Sequence, residues 1–92
     1  MIVSFADKDT EALFRGHCAR RWMAIGRVAR RKLAQVNAAA TLAFLACPPG
    51  NRLEMLKGNR AGQLSIRIND QFRVCFRWED GHAHAVEIVD YH

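Results

Sequence analysis

The segment EIVDYH sets Asp90, Tyr91 and His92 directly behind the apolar pattern Val86, Ile88 and Val89. An acid, a phenol and an imidazole are groups that move protons or bind phosphate. Histidine titrates near neutrality, at roughly pH 6.5 when unperturbed, and Asp90 favours the protonated ring. Clustered Arg, Lys, Tyr and His suit cleavage of an RNA phosphodiester without a metal ion. That reaction needs a base for the 2′-OH proton and cations for the charge on the phosphorane-like transition state. It also needs an acid for the leaving 5′ oxygen.

Other chemistries are poorly supported. The sequence contains no P-loop, no G-x-S-x-G and no H-E-x-x-H. His82 and His84 form an H-x-H pair that can bind zinc, but no third ligand is evident nearby. The plainer reading packs them at a sheet end beside Trp78 and Phe76. Cys18, Cys47 and Cys75 are odd in number and lack C-x-x-C spacing, which suits free, partly buried thiols. No metal and no cofactor is expected.

The elements that would position these groups fall into two halves. MIVSF reads as a short first strand, and Asp7 or Asp9 can cap a helix that Gly16 ends. From about Arg20 to Ala40, Trp22, Ile25, Val28 or Ala29, Leu33 and Val36 recur every three or four residues, one apolar stripe of a helix. TLAFLACPPGN reads as a short helix stopped by Pro48-Pro49-Gly50. Beyond it the pattern alternates with period two: Leu64, Ile66 and Ile68, then Phe72, Val74, Phe76 and Trp78, then Val86 and Ile88. The 92 residues make one domain, 1–92, of α+β class.

Register follows from the alternation. A three-residue Asn69-Asp70-Gln71 loop sets Ile66 opposite Val74 and Arg67 opposite Arg73. A three-residue Glu79-Asp80-Gly81 loop would set Val74 against Val86 and Glu87 beside Arg73. The face away from the core would then carry Arg67, Arg73 and Glu87 in a row, with Arg73 exposed and making few core contacts. Like charges directly opposite are unfavourable. Either Glu87 neutralises one arginine, or the remaining positive charge awaits an oxyanion, which a guanidinium grips well. Tyr91 shares the parity of Glu87 and would project toward this face.

Charge is unevenly spread. The chain has 14 Lys and Arg against nine Asp and Glu, a net +5. Residues 1–47 hold eight basic and three acidic side chains, and residues 48–92 hold six of each. Arg15, Arg20, Arg21, Arg27, Arg30, Arg31 and Lys32 form a run without an acid. Such a block suits an anionic partner, nucleic acid or an acidic protein segment; it also suits a solvated helix face. No stretch is apolar enough to span a bilayer, and MIVSFADKD lacks the order of a secretion signal, so a cytoplasmic location is expected.

The sequence NRLEMLKGNRAGQLSIRINDQFRVCF, followed by VEIVDYH and preceded by MIVSFADKDTEALF, resembles the HigB branch of the RelE/ParE toxin superfamily. The resemblance runs nearly the whole chain. It implies a RelE-like fold, with an N-terminal strand and helices packed on a curved, mainly antiparallel sheet whose concave face is the active site. It implies a bacterial toxin that enters the ribosomal A site, cuts mRNA there and is inhibited by a HigA-like antitoxin with a helix-turn-helix domain. The antitoxin, the 70S ribosome and mRNA are the expected partners, with operator DNA reached only through the antitoxin.

Carried over by position, Lys57 and Arg73 would stabilise the phosphate, and Asp90, Tyr91 and His92 would orient the RNA and transfer protons. Arg67, on charge geometry, and Arg60 are expected to bind the RNA phosphates. Arg20, Arg27, Arg30 and Arg31 are expected to contact the ribosome. The chain departs from a related HigB at Glu54, which stands where that relative has histidine. A glutamate there can act as general base or pair with Lys57 or an arginine. Two alternatives are a ParE-like toxin that poisons DNA gyrase by binding, and a non-catalytic RNA-binding module. Neither calls for the DYH groups beside Lys57 and Arg73, and the module would place stacking aromatics on the exposed sheet face.

Overall fold

Asp7 starts the first helix: its carboxylate accepts the Thr10 N–H at 2.6 Å, and Asp9 and Glu11 complement the positive end of the turn. In the computed structural model, which describes residues 1–90, helix α1 runs Lys8–Phe14 and ends before Gly16, whose φ of +109° a side chain would oppose. Helix α2 runs Gly26–Ala38 and α3 Leu42–Ala46, the latter capped by Thr41 and stopped at Pro48-Pro49. Four strands follow: β1 Glu54–Met55, β2 Leu64–Arg67, β3 Phe72–Glu79 and β4 His82–Asp90. They form one antiparallel sheet in chain order.

The helix expected from Arg20 to Ala40 is broken. Residues Arg20–Trp22 form a tight 3₁₀ turn, and the regular α-helical bonds begin where Ala29 N–H donates to Ile25. Glycine is a weak helix former. Gly26 is also where Cys18 packs, with a β-carbon there falling 2.9 Å from the Cys18 Sγ. The break lets Trp22 and Ile25 both reach the core.

The N-terminal strand is likewise reduced. Residues 1–6 lie parallel to β4 but make isolated bridges at Ile2–Ala83 and Phe5–Val86. Between them Ala85 adopts a left-handed conformation, φ +53°, and donates to the Ser4 hydroxyl, which interrupts the ladder.

The core lies between the helices and one face of the sheet. Leu13, Trp22, Ile25, Ala29, Leu33 and Val36 meet Ile66, Ile68, Val74, Phe76, Val86 and Ile88. The Thr10 hydroxyl, fully buried, accepts from Ile88 N–H and pins α1 to β4. Among the described residues, no helix is long and apolar enough to cross a membrane, and every buried side-chain nitrogen or oxygen has a hydrogen-bond partner.

The first hairpin has the expected register, with Ile66 opposite Val74 and Arg67 opposite Arg73. The second does not. Its loop is Asp80-Gly81, both at positive φ (52° and 78°), and Glu79 pairs with His82. Two left-handed residues make the turn whose twist matches the strands. A bulge at Ala85 then adds one residue to β4. Loop and bulge together slide β4 by two residues, so Val74 meets Ile88 and Glu87 meets Cys75. Val86 and Ile88 stay inward, but Glu87 is not beside Arg73 as expected.

Candidate active site

The sheet face turned away from the helices carries two adjacent rows. One is Glu54, Ser65, Cys75 and Glu87, and the other is Arg67, Arg73 and Val89. Arg73 is at their centre. Its Nε donates to the Ser65 hydroxyl at 2.7 Å and one terminal nitrogen to the Arg52 carbonyl at 2.6 Å. The other terminal nitrogen lies 3.4 Å from the Glu54 carboxylate. Its side chain is 12 % exposed, so the expectation of an exposed Arg73 with little to lose is corrected: the guanidinium is wired into the sheet.

The opposed arginines are separated by different acids. Arg67 binds Asp70, whose carboxyl that hydrogen bond and charge hold below the usual range. Arg73 takes Glu54. Glu87 instead takes Arg60, at 3.3 Å, and Arg60 also donates to Gln63 at 3.0 Å. Beneath them burial pushes the Cys75 thiol up to about 11, although the nearby Arg60 and Arg73 oppose the rise.

Several sequence-predicted residues thus share this face: Glu54 and Arg73 in contact, Arg67 opposite Arg73, and Arg60 over Glu87. Lys57 is exposed and begins the Gly58–Arg60 turn on the loop between β1 and β2. Asp90 goes elsewhere. It lies opposite Phe72 with the parity of Ile88, accepts from Gln71 Nε2 at 3.1 Å, and lines a hollow of about 460 Å³ with Arg21, Trp22, Phe72 and Ile88. Alternation therefore turns Asp90 toward the helix side. Tyr91 and His92 lie outside the described residues. Arg20, Arg27, Arg30 and Arg31 are exposed on the helical layer, with Arg30 tethered to the Leu13 carbonyl.

The two-residue turn also moves the H-x-H pair. His82 and His84 lie opposite Glu79 and Arg77 rather than beside Trp78 and Phe76, and His84 Nε2 is 3.9 Å from Glu79. Lys32 departs from the exposed basic run. It is buried, its ammonium donates to Asn51 Oδ1 at 2.5 Å, and burial, then Arg31 and Arg67, lower its pKa.

Sequence reasoning missed Ser65 and the Arg52 carbonyl. Ser65 was detectable: with Arg67 opposite Arg73, position 65 is the diagonal neighbour, within reach of a long side chain. Nothing in the type of residue 52 marks its carbonyl.

Comparison with known proteins agrees with this architecture. A family model described as the RelE-like toxin of type II toxin–antitoxin system HigB matches residues 3–92. Toxin HigB-1 of Vibrio cholerae serotype O1 is 40 % identical over 83 residues, covering 88 % of this chain and 87 % of that protein. Two structures from Staphylococcus aureus share the fold at TM-score 0.58: a chain of the YoeB–YefM complex, at 17 % identity, and the YoeB dimer, at 19 %. Each match covers all of this chain, and 98 % and 97 % of those chains. With its helices on one antiparallel sheet and a family match along almost its entire length, the chain belongs to the HigB-like toxins, the RelE-like toxins of type II toxin–antitoxin systems.

Proposed function

We propose that the chain is a ribosome-dependent mRNA endoribonuclease that halts translation by cutting mRNA in the A site without a metal ion. A HigA-like helix-turn-helix antitoxin neutralises it in the bacterial cytoplasm. The observation that carries this reading is the guanidinium of Arg73, held on the sheet face turned away from the helices with the half-exposed Glu54 carboxylate 3.4 Å away. A fixed cation beside a half-exposed carboxylate suits a phosphate whose neighbouring 2′-OH must lose a proton.

In this scheme Glu54 takes the 2′-OH proton and the 2′ oxygen attacks phosphorus. Arg73, with Lys57, Arg60 and Arg67 around it, offsets the charge gathering on the phosphate oxygens. The bond to the 5′ oxygen breaks, His92 supplies the proton to that oxygen, and Tyr91 orients the RNA; Asp90, turned toward the helix side, takes no part at this face. The products are a 2′,3′-cyclic phosphate and a free 5′-hydroxyl.

Arg73→Ala tests the reading. Losing a transition-state charge contact lowers rate by about 10²–10³, so cleavage of mRNA on programmed ribosomes should fall by that factor. Wild-type cleavage should vanish on the same mRNA without ribosomes. The variant should melt somewhat earlier, because Ser65 and Arg52 lose a charged partner worth about 1–3 kcal/mol. Full activity of the variant, or equal cutting of naked RNA, would overturn the proposal; growth arrest with broken DNA would replace it with gyrase poisoning.

A further inference from the structure

We infer that Ser65 and the segment Asn51–Arg52 are positioning elements for Arg73: they hold the plane of its guanidinium so that the edge now facing Glu54 is presented to the phosphate. This rests on the endoribonuclease reading above. An arginine side chain has four rotatable bonds, so a guanidinium that must meet a phosphate in one orientation needs support at more than one point. Here two short contacts lie at Nε, to Ser65 at 2.7 Å, and at one terminal nitrogen, to the Arg52 carbonyl at 2.6 Å. Two bonds at two places on a planar group fix its position and tilt. The contact to Glu54 is longer, 3.4 Å, and its acceptor is 52 % exposed, so it is the one a phosphate oxygen can replace.

Both supports are themselves fixed. Ser65 is fully buried in the central part of the sheet, opposite Cys75 and Glu54. The Arg52 carbonyl is aimed by a left-handed residue, φ 46° and ψ 55°, directly after the Pro49–Asn51 turn. Asn51 is also fully buried. Its amide donates to Gln35 Oε1 and the Leu45 carbonyl, each at 3.0 Å, and its oxygen accepts from Lys32. Hydrogen bonds from helix α2 to Asn51, the Asn51–Arg52 peptide link and the bond from Arg73 to the Arg52 carbonyl therefore join α2 to the guanidinium. This gives the buried Lys32 a purpose that a solvated basic face would not: it anchors the turn whose carbonyl steers the guanidinium.

The test uses the full chain and two readouts. The first is hydrogen exchange of the Arg73 Nε–H by ¹⁵N NMR, its resonance assigned by its disappearance in Arg73→Lys. Ser65→Ala should abolish the protection of that proton; unchanged exchange would overturn the positioning role. The second is single-turnover cleavage on programmed ribosomes. Misplacing a catalytic group by about 1 Å costs up to roughly 10²-fold, and Ser65→Ala should lose activity on that order while ribosome affinity is kept. In an Arg73→Lys background the same substitution should cost nothing further. An additive loss in the double variant, or full cleavage with the protection gone, would refute the inference. Should Ser65→Ala fail to fold, Ser65→Thr, which keeps the acceptor oxygen, replaces it: retained protection with retained cleavage supports the role, and retained protection with lost cleavage overturns it. A wild-type chain that cuts nothing would remove the endoribonuclease reading, while the exchange measurement would still report on how Arg73 is held.

Discussion

Arg73 and Cys75 stand two residues apart on one face of β3, and that face treats them differently. The guanidinium takes Ser65, the Arg52 carbonyl and Glu54 as partners. The thiol, with no exposed surface, keeps its proton instead: burial raises its pKa from 9.0 to about 11. Between these values the unfolded chain has released the proton and the folded chain has not. The unfolded state then binds fewer protons, so stability falls as pH climbs through that window. A shift of this size corresponds to about 2–3 kcal/mol. Urea unfolding of wild type and Cys75→Ala on both sides of the window should therefore show the wild-type advantage shrinking by that order. Taking the difference between the two proteins cancels Lys32, whose lowered pKa makes stability rise with pH. A constant difference would mean that the thiol is solvated.

Helix α2 does two jobs with one run of basic residues. Ala29, Leu33 and Val36 form its buried stripe, Lys32 and Gln35 hold Asn51, and Arg27, Arg30 and Arg31 face outward. The outward arginines have no acid on the helix to pair with, since Gly26–Ala38 contains no Asp or Glu. Reversing Arg27 and Arg31 to Glu should leave the fold intact, because exposed substitutions usually change stability by less than ~0.5 kcal/mol. It should weaken 70S binding and flatten the salt dependence, because each lost phosphate contact removes a released counterion. Filter binding at several salt concentrations would show this. Unchanged affinity with an unchanged slope would assign ribosome binding to another surface.

Across the whole molecule, the sheet separates the two kinds of positive charge. The exposed basic helix lies on one side, and Arg60, Arg67 and Arg73 lie on the other. Binding and chemistry should therefore be separable by mutation. His92→Gln should lower single-turnover cleavage by roughly 10²-fold, the contribution expected of a positioned general acid, while ribosome binding and antitoxin binding stay near wild type. Growth arrest should disappear with cleavage. A His92→Gln chain that cuts at the wild-type rate would remove histidine from the mechanism.

Much of this was readable without coordinates. The apolar stripe of α2, the stop at Pro48-Pro49 and the pairing of Arg67 with Arg73 all follow from local periodicity, because a helix or strand with one buried face must repeat its apolar residues at the period of its backbone. The family resemblance likewise rests on residue order alone. The details that arm the site were not readable. The slide of β4 depends on a bulge at Ala85, and that bulge is held by Ser4, 81 residues away in sequence. Together with the two-residue Asp80-Gly81 turn, which by itself brings His84 opposite Arg77, it moves Glu87 from Arg73 to Cys75. Arg73 is aimed by a backbone carbonyl whose direction depends on Asn51 and, through it, on Lys32. Periodicity records which face a residue must bury. Hydrogen bonds between segments distant in the chain select its partner on that face, and they form only once the elements have packed.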